Sequence, residues 1–201
     1  MLFKRWSILP GKLRAKAAKG VRSAGCLLIL LLFSVVMASG AAAWDEPEQP
    51  SEYQVKAAFI YHFAKFVEWP SESSRRSPST LTVCVLGRSP FGTALSSIGG
   101  LTVRGRRVTV TYIKRIQELE SCDILFVSVS ERGKLAQILS AVGTRPILTI
   151  SDLKMFAAAG GMIGFIPVGD QIRFEINQRA ALRSNLRISA QLLKLATSVS
   201  E

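Results

Sequence analysis

Three short apolar runs in the middle of the chain alternate with stretches that carry helical periodicity. The runs are rich in β-branched residues and have no polar face, which is typical of strands buried on both sides of a parallel sheet. The stretches between them place apolar residues three and four positions apart, as amphipathic helices do. This alternation predicts an α/β domain with a mostly parallel central sheet that is covered by helices on both faces. The runs occupy residues 81–86, 123–127 and 146–150.

A hairpin and two helices are predicted after the third run. Residues 171–176 alternate polar and apolar side chains, and a Val-Gly-Asp turn at 168–170 separates them from the apolar residues 162–166. Two such segments joined by a short turn with glycine form an antiparallel hairpin. We expect this C-terminal hairpin to extend one edge of the sheet. Helical patterns follow at residues 178–184 and 188–197.

The first predicted helix of the domain covers residues 52–67 and is followed by a Trp-Pro pair. Proline disfavours the helical conformation of the residue before it, so the helix stops there. Its apolar positions recur at helical steps and predict one buried face, which includes the single histidine of the chain. We expect that histidine to pack against its neighbours or to lie at the rim. The predicted stripe consists of Val55, Phe59, His62, Phe63 and Phe66.

Further helices and strands are predicted between the apolar runs. A proline in the first turn favours a helix over residues 90–98, and a second helical pattern covers 131–142. Residues 101–103 and 107–113 alternate as strands do and flank a turn with glycine. Three arginines at this turn are expected to be solvated, namely Arg104, Arg106 and Arg107.

The first 43 residues have the pattern of a secretory signal peptide. Seven basic residues without an acidic one precede an apolar run at 26–37, and small residues lead to a cleavage site after Ala43. An uncleaved anchor over residues 24–44 is the alternative, because about 20 apolar residues suffice to cross a bilayer. Under either reading the basic flank stays inside and the remainder is exported. The sequence therefore predicts a periplasmic protein.

Removal of the signal sets the predicted domain bounds and lowers the net charge of the chain. Residues 44–51 are polar with two prolines and predict a flexible leader, and residues 52–199 predict a single α/β domain. Seven of the 26 Lys and Arg residues belong to the signal, which leaves 19 against 14 Asp and Glu, a net charge of +5. This is an ordinary surface charge, so neither nucleic-acid binding nor stable membrane insertion is expected of the mature chain.

No arrangement of residues in the sequence predicts catalysis. His62 is the only histidine, and no Cys, His, Asp or Glu cluster has metal-ligand spacing. No serine has the context of a nucleophile elbow. We therefore expect no enzyme, no metal and no cofactor, and a domain of this kind acts by binding.

One segment lies where an α/β protein binds small ligands. Gly87 and Arg88 follow the first apolar run and precede a predicted helix, at the carboxyl edge of the sheet. The segment lacks the Lys-Ser/Thr pair of a P-loop and the three-glycine spacing of a dinucleotide fingerprint. It is therefore either a plain turn with a solvated Arg88 or a ligand crevice in which Arg88 contacts an anion.

The cysteines of the predicted mature chain form an even pair. Cys84 lies within the first apolar run and Cys122 immediately precedes the second. Neighbouring strands of an open sheet bring Cα atoms close to the roughly 5.5–6 Å that a disulfide needs. Export to an oxidising compartment favours the disulfide, and two buried reduced thiols are the alternative.

Several segments of the mature chain, in order, resemble the YfiR family. The resemblance rests on the opening helix with its Trp-Pro end, on the three apolar runs and on the hairpin with the last helix. It covers nearly all of the mature chain. The segments are residues 53–70, 81–87, 121–127, 146–151, 161–163, 173–177 and 186–196.

The resemblance implies a Rossmann-like three-layer α/β sandwich. It also implies a periplasmic, often dimeric repressor of an inner-membrane diguanylate cyclase, which acts by contacting the periplasmic sensor domain of that enzyme. It also implies that an outer-membrane lipoprotein relieves the repression, and hence a role in cyclic-di-GMP signalling and biofilm formation. Cys84 and Cys122 fall on the positions of the disulfide that stabilises the family fold. The second cysteine pair of some relatives is absent, which weakens a redox-switch role for the first pair. Whether the first pair is structural or redox-sensing stays open.

Candidate partner-binding residues lie on the C-terminal hairpin and helices, where apolar and basic side chains alternate. Asn177 is expected to cap the helix that follows it. The alternative function is a periplasmic small-molecule-binding or accessory sensor module for a transmembrane histidine kinase, with Gly87 and Arg88 in the ligand crevice. The candidate surface residues are Phe174, Ile176, Arg179, Arg183 and Arg187, of which the apolar ones are equally explained as core residues.

Overall fold

An eight-stranded sheet lies at the centre of the protein in a computed structural model, which describes residues 50–70 and 79–201. The predicted signal, residues 1–43, and most of the predicted leader, residues 44–51, lie outside the described residues. In chain order the strands are β1 (Val67–Glu68), β2 (Thr80–Leu86), β3 (Thr102–Val103), β4 (Arg106–Ile113), β5 (Ile124–Val127), β6 (Leu148–Ser151), β7 (Ile163–Val168), β8 (Gln171–Asn177), β9 (Arg187–Ile188) and β10 (Ser198–Ser200).

The sheet is mostly parallel and confirms the predicted fold class. Its strand order is β10-β8-β7-β6-β5-β2-β4-β3, and strands β1 and β9 form a separate antiparallel pair. Strands β4, β2, β5, β6 and β7 run parallel, while β7 and β8 form the predicted antiparallel hairpin. After β2 the chain forms β4 on one side of β2, and it then forms β5 on the opposite side of β2. The switch point of the topology therefore lies between β2 and β5.

The helices are shorter than the sequence pattern predicts. The α-helices are α1 (Glu52–Phe66), α2 (Leu135–Val142), α3 (Gln178–Arg183) and α4 (Ala190–Leu195). The segment predicted as a helix over 90–98 has only a 3₁₀ turn at Ala94–Ser97, and the helix predicted over 131–142 begins as a 3₁₀ helix at Val129–Lys134. Helix α4 starts late because the side chain of Ser189 caps it, accepting the N–H of Leu192.

Alternation along the central strands divides the core into two layers. On β2, Val83 and Val85 face the layer that contains α1 and α4, whereas Cys84 and Leu86 face the layer that contains α2. Strand β5 divides its side chains in the same way, with Phe126 in the first layer and its neighbours in the second. Period-two alternation thus explains why these apolar runs are buried on both faces.

Helix α1 buries a different face from the predicted stripe. Phe63 is fully buried as expected, but Phe59 is only partly buried and His62 is exposed. The small residues Ala57 and Ala64 lie against the sheet instead, because small side chains let the helix approach the strands closely. The larger aromatic residues pack beside them, where the helix meets the hairpin. For example, the ring centroids of Phe59 and Phe174 are 5.6 Å apart.

Arg106 corrects the prediction of a solvated arginine turn. Its side chain is 4% exposed, and its guanidinium donates to both carboxylate oxygens of Asp123 at 2.7 and 2.8 Å. The same carboxylate accepts the N–H of Thr82 at 2.8 Å. The ion pair therefore joins β4, β2 and the start of β5. By contrast, Arg104 and Arg107 are exposed as predicted.

Within the described part of the chain, no helix is both long and apolar enough to cross a membrane.

Candidate functional site

The two loops that flank the switch point are in direct contact with each other. The loop after β2 meets the loop after β5, where the N–H of Arg88 donates to Ser130 Oγ at 3.0 Å. The hydroxyl of Ser128 donates to the carbonyl oxygen of Arg88 at 2.6 Å. Gly87 has a φ of +89° and faces Ser130 and Glu131 so closely that a Cβ atom at position 87 would overlap them. This packing supports the turn interpretation of Gly87 and Arg88 over the ligand crevice.

The closed loop contact gives a stability prediction. We expect Gly87→Ala to lower the free energy of unfolding by about 2–3 kcal/mol, because alanine is strained at positive φ and its Cβ displaces Ser130 and Glu131. Chemical denaturation measures the difference. Gly133→Ala is the matched control, since a Cβ there meets no atom within 4 Å and stability should stay equal or rise by up to about 1 kcal/mol. Equal stability of the two variants would contradict the packing described.

A buried ionic cluster ties the start of α1 to the loop after β6. The Lys56 ammonium is 3% exposed and lies 2.9 Å from Asp152 Oδ2, which also accepts the Tyr53 hydroxyl at 3.0 Å. Burial alone would lower the pKa of Lys56, but hydrogen bonds to Glu52 and Asp152 outweigh burial and raise that pKa above its ordinary value. Burial and the Asp152 carboxylate raise the pKa of Tyr53 as well. Lys56 is therefore charged and Tyr53 neutral at neutral pH.

This cluster was not predicted from the sequence. Lys56 and Asp152 are 96 positions apart, and a lysine on an amphipathic helix is ordinarily solvated. The only sequence signal is the interruption of the buried helix face by a charged residue. The cluster fixes α1 on the sheet and shows no reactive geometry.

The predicted disulfide between Cys84 and Cys122 is present in the structure. The two Cα atoms are 5.7 Å apart, and the bridge joins β2 to the residue two positions before β5. Cys84 is fully buried and Cys122 is 7% exposed, both within the core layer around α2. The bridge therefore links neighbouring parallel strands from inside the protein.

Two of the five candidate surface residues are wrong as surface positions. Phe174 and Ile176 are 3% and 1% exposed, because they occupy alternate positions of β8 and point into the core under α1. The Phe174 ring lies 5.0 Å from that of Phe63, centroid to centroid. Asn177 follows them and caps α3 as predicted, accepting the N–H of Ala180 at 2.9 Å.

The other three candidates lie on one exposed surface, which we call the C-terminal surface. It consists of Arg179, Leu182, Arg183 and Arg187. The first three lie at helical spacing on one side of α3, and Arg187 follows in β9. Leu182 is 55% exposed, and two grooves of about 650 and 450 Å³ meet at it. Sequence reasoning missed Leu182, although it lies between two predicted surface arginines.

Chemistry-bearing side chains form no further site in residues 50–70 and 79–201. No three His, Cys, Asp or Glu side chains of this part of the chain are placed to hold a metal ion. His62 is exposed, with its ring 6.0 Å from that of Tyr61.

Two solved structures align with most of the chain. One is the crystal structure of a conserved domain protein from Vibrio cholerae, at 10% identity and a TM-score of 0.49, with 75% of this chain covered. The other is the ABC domain from Streptococcus pneumoniae in complex with L-Trp, at 14% identity and a TM-score of 0.47, with 73% of this chain covered. The alignment covers 60% of the length of each of those chains.

A family comparison covers the same region more specifically. The sequence model of the YfiR/HmsC-like family (DUF4154) matches residues 53–197. The match begins within α1, includes both cysteines of the disulfide and ends at the residue before β10. It therefore covers the layers of the core, the hairpin and the C-terminal surface. The chain belongs to the YfiR/HmsC-like family.

Proposed function

We propose that this protein binds the extracytoplasmic domain of an inner-membrane diguanylate cyclase and holds the enzyme inactive. Family membership supports a periplasmic, non-catalytic regulator of signalling in general. That its target is a diguanylate cyclase is our proposal. Lower cyclic-di-GMP and less biofilm are the expected consequences of repression.

The observation that carries the proposal is the exposed C-terminal surface, on a domain whose switch-point loops contact each other. Its side chains offer three guanidinium groups and one exposed leucine beside two grooves. Arginine and a central apolar contact are typical of protein interfaces. A regulator with this surface acts by docking on a partner.

Repression requires that the protein bind the inactive conformation of the cyclase more tightly than the active one. A binding partner shifts a two-state equilibrium only through its difference in affinity for the two states. A shift from 1:99 to 99:1 needs a difference of about 5.5 kcal/mol. One protein–protein interface of ordinary size supplies free energies of this order.

We also propose a homodimer and relief of repression by an outer-membrane lipoprotein, following the family resemblance. An accessory module for a sensor histidine kinase is the alternative target. The two targets differ in output, since one changes cyclic-di-GMP and the other changes phosphorylation of a response regulator.

Deletion of the gene tests the proposed function. We expect cellular cyclic-di-GMP and biofilm mass to rise and to return to normal when the wild-type gene is restored, because the cyclase loses its repressor. Mass spectrometry of nucleotide extracts measures the change. Unchanged cyclic-di-GMP together with altered phosphorylation of a response regulator would replace the cyclase by a kinase as the target.

A further inference from the structure

The C-terminal surface carries positive charge that the described part of the protein does not neutralise. Within residues 50–70 and 79–201, the side chains of Arg183 and Arg187 make no ion pair. Two carboxylates border the grooves, those of Glu68 and Glu201. Glu68 already accepts Arg104 at 3.5 Å, and Arg179 donates to the main-chain oxygen of Glu201. In the described part of the chain, Arg183 and Arg187 therefore carry the unpaired positive charge of this surface.

Leu182 gives this basic surface an apolar centre. It lines both grooves, one between α3 and Glu201 and the other along Trp69 and Arg187. Arg179 and Arg183 flank Leu182 along α3. A partner side chain of moderate size fits in either groove in contact with this leucine, while the guanidinium groups of Arg183 and Arg187 remain free to contact polar groups around it.

We propose that the C-terminal surface takes an acidic segment of the partner protein, with an apolar side chain seated beside Leu182 and carboxylates paired with Arg183 and Arg187. The assignment of that segment to the cyclase domain rests on the proposed function, whereas its acidic character is inferred from the surface alone. Arginine binds carboxylates with two parallel hydrogen bonds, and the pairs strengthen when the interface excludes water.

Two other occupants fit the surface less well. A second copy of this chain docked through the same patch would bring arginines of both copies together, because a two-fold interface uses the same surface twice. A lipid bilayer favours a broad apolar face, whereas this surface has one exposed leucine between grooves. An acidic protein segment satisfies both the charge and the shape.

Photo-crosslinking in intact cells identifies the occupant. The full-length protein carries p-benzoylphenylalanine in place of Leu182, and mass spectrometry identifies the captured peptide. We expect a peptide with several Asp or Glu residues next to the cross-linked apolar one. The same probe in place of the exposed Lys154, on the loop after β6, is the control position and should not capture this peptide.

Each outcome of the cross-linking decides a different claim. An acidic peptide from a diguanylate cyclase supports both proposals, and an acidic peptide from another protein supports this inference but overturns the cyclase as target. A basic or neutral peptide, a peptide of this chain itself, a lipid adduct, or no capture above the Lys154 control overturns the acidic-segment inference. Deletion that raises cyclic-di-GMP leaves the proposed function standing in those cases.

Charge reversal supplies the second measurement. We expect Arg183→Glu combined with Arg187→Glu to reduce capture at least about tenfold, because like charges then face each other across the interface. Thermal unfolding should be unchanged, since both side chains are exposed. Lys154→Glu changes one exposed positive charge elsewhere and should leave capture intact. Capture that survives the double reversal, in a protein that folds normally, overturns the inference.

Discussion

A variant in which Cys84→Ala and Cys122→Ala remove the disulfide should lose about 3–4 kcal/mol of unfolding free energy, from the chain-entropy effect of a loop closed over 38 positions. This is a large share of the roughly 5–15 kcal/mol typical of a whole domain. The midpoint of thermal unfolding should fall by about 10 °C. Urea denaturation followed by circular dichroism measures the loss.

Reductant provides the control for the disulfide prediction. Wild-type protein denatured in the presence of reductant should match the double variant, whereas reductant should leave the variant unchanged. Because the bridge is buried in the core, reduction of the folded protein should be slow compared with reduction of the unfolded chain. A stability difference below about 1 kcal/mol would contradict the entropic contribution of the bridge.

The second large effect is expected from Asp123→Ala, which should cost about 3–5 kcal/mol because it leaves a charged guanidinium buried without its partner. Arg106 would keep only the carbonyl of Thr80 as an acceptor. The N–H of Thr82 loses its acceptor as well. Three neighbouring strands meet at this carboxylate, so the loss should appear in equilibrium unfolding of the whole domain.

A double variant separates the energetic cost of the buried charge from the cost of the lost contact. Asp123→Ala combined with Arg106→Met should recover part of the stability, because removal of both charges ends the uncompensated burial. Arg115→Ala breaks an ion pair with Glu118 in which Arg115 is 76% exposed, and it should cost less than about 1 kcal/mol. A cost of Asp123→Ala as small as that of Arg115→Ala would contradict a structural role for the buried pair.

The sequence pattern predicts the sheet well because its signals are local. Continuous apolar runs mark β2, β5 and β6, and the Val-Gly-Asp turn marks the hairpin of β7 and β8. Strand β10 was missed, since Ser198–Ser200 has no apolar pattern and pairs with β8 more than 20 positions earlier. Strands with a local apolar pattern can be predicted from the sequence, whereas a strand such as β10, which depends on pairing with a distant segment, cannot.

The charged residues show the same division. Arg106 was expected to be solvated and Lys56 carried no prediction, yet each is buried against a carboxylate of another part of the chain. At the C-terminal surface the arginines were predicted and are exposed. Phe174 is not a surface residue there, because the side of the hairpin that faces α1 is covered by that helix. The sequence does not show that α1 lies over β8.

The hydrogen bonds that join Arg88 to Ser128 and Ser130 across the switch point affect how the protein responds to a partner. These bonds hold the loops after β2 and β5 together and restrict the movement of one side of the sheet relative to the other. The domain should therefore dock as a rigid body, with Cα displacements within about 1 Å of the free protein. In a regulatory complex, the partner would then change its conformation while this domain keeps its own.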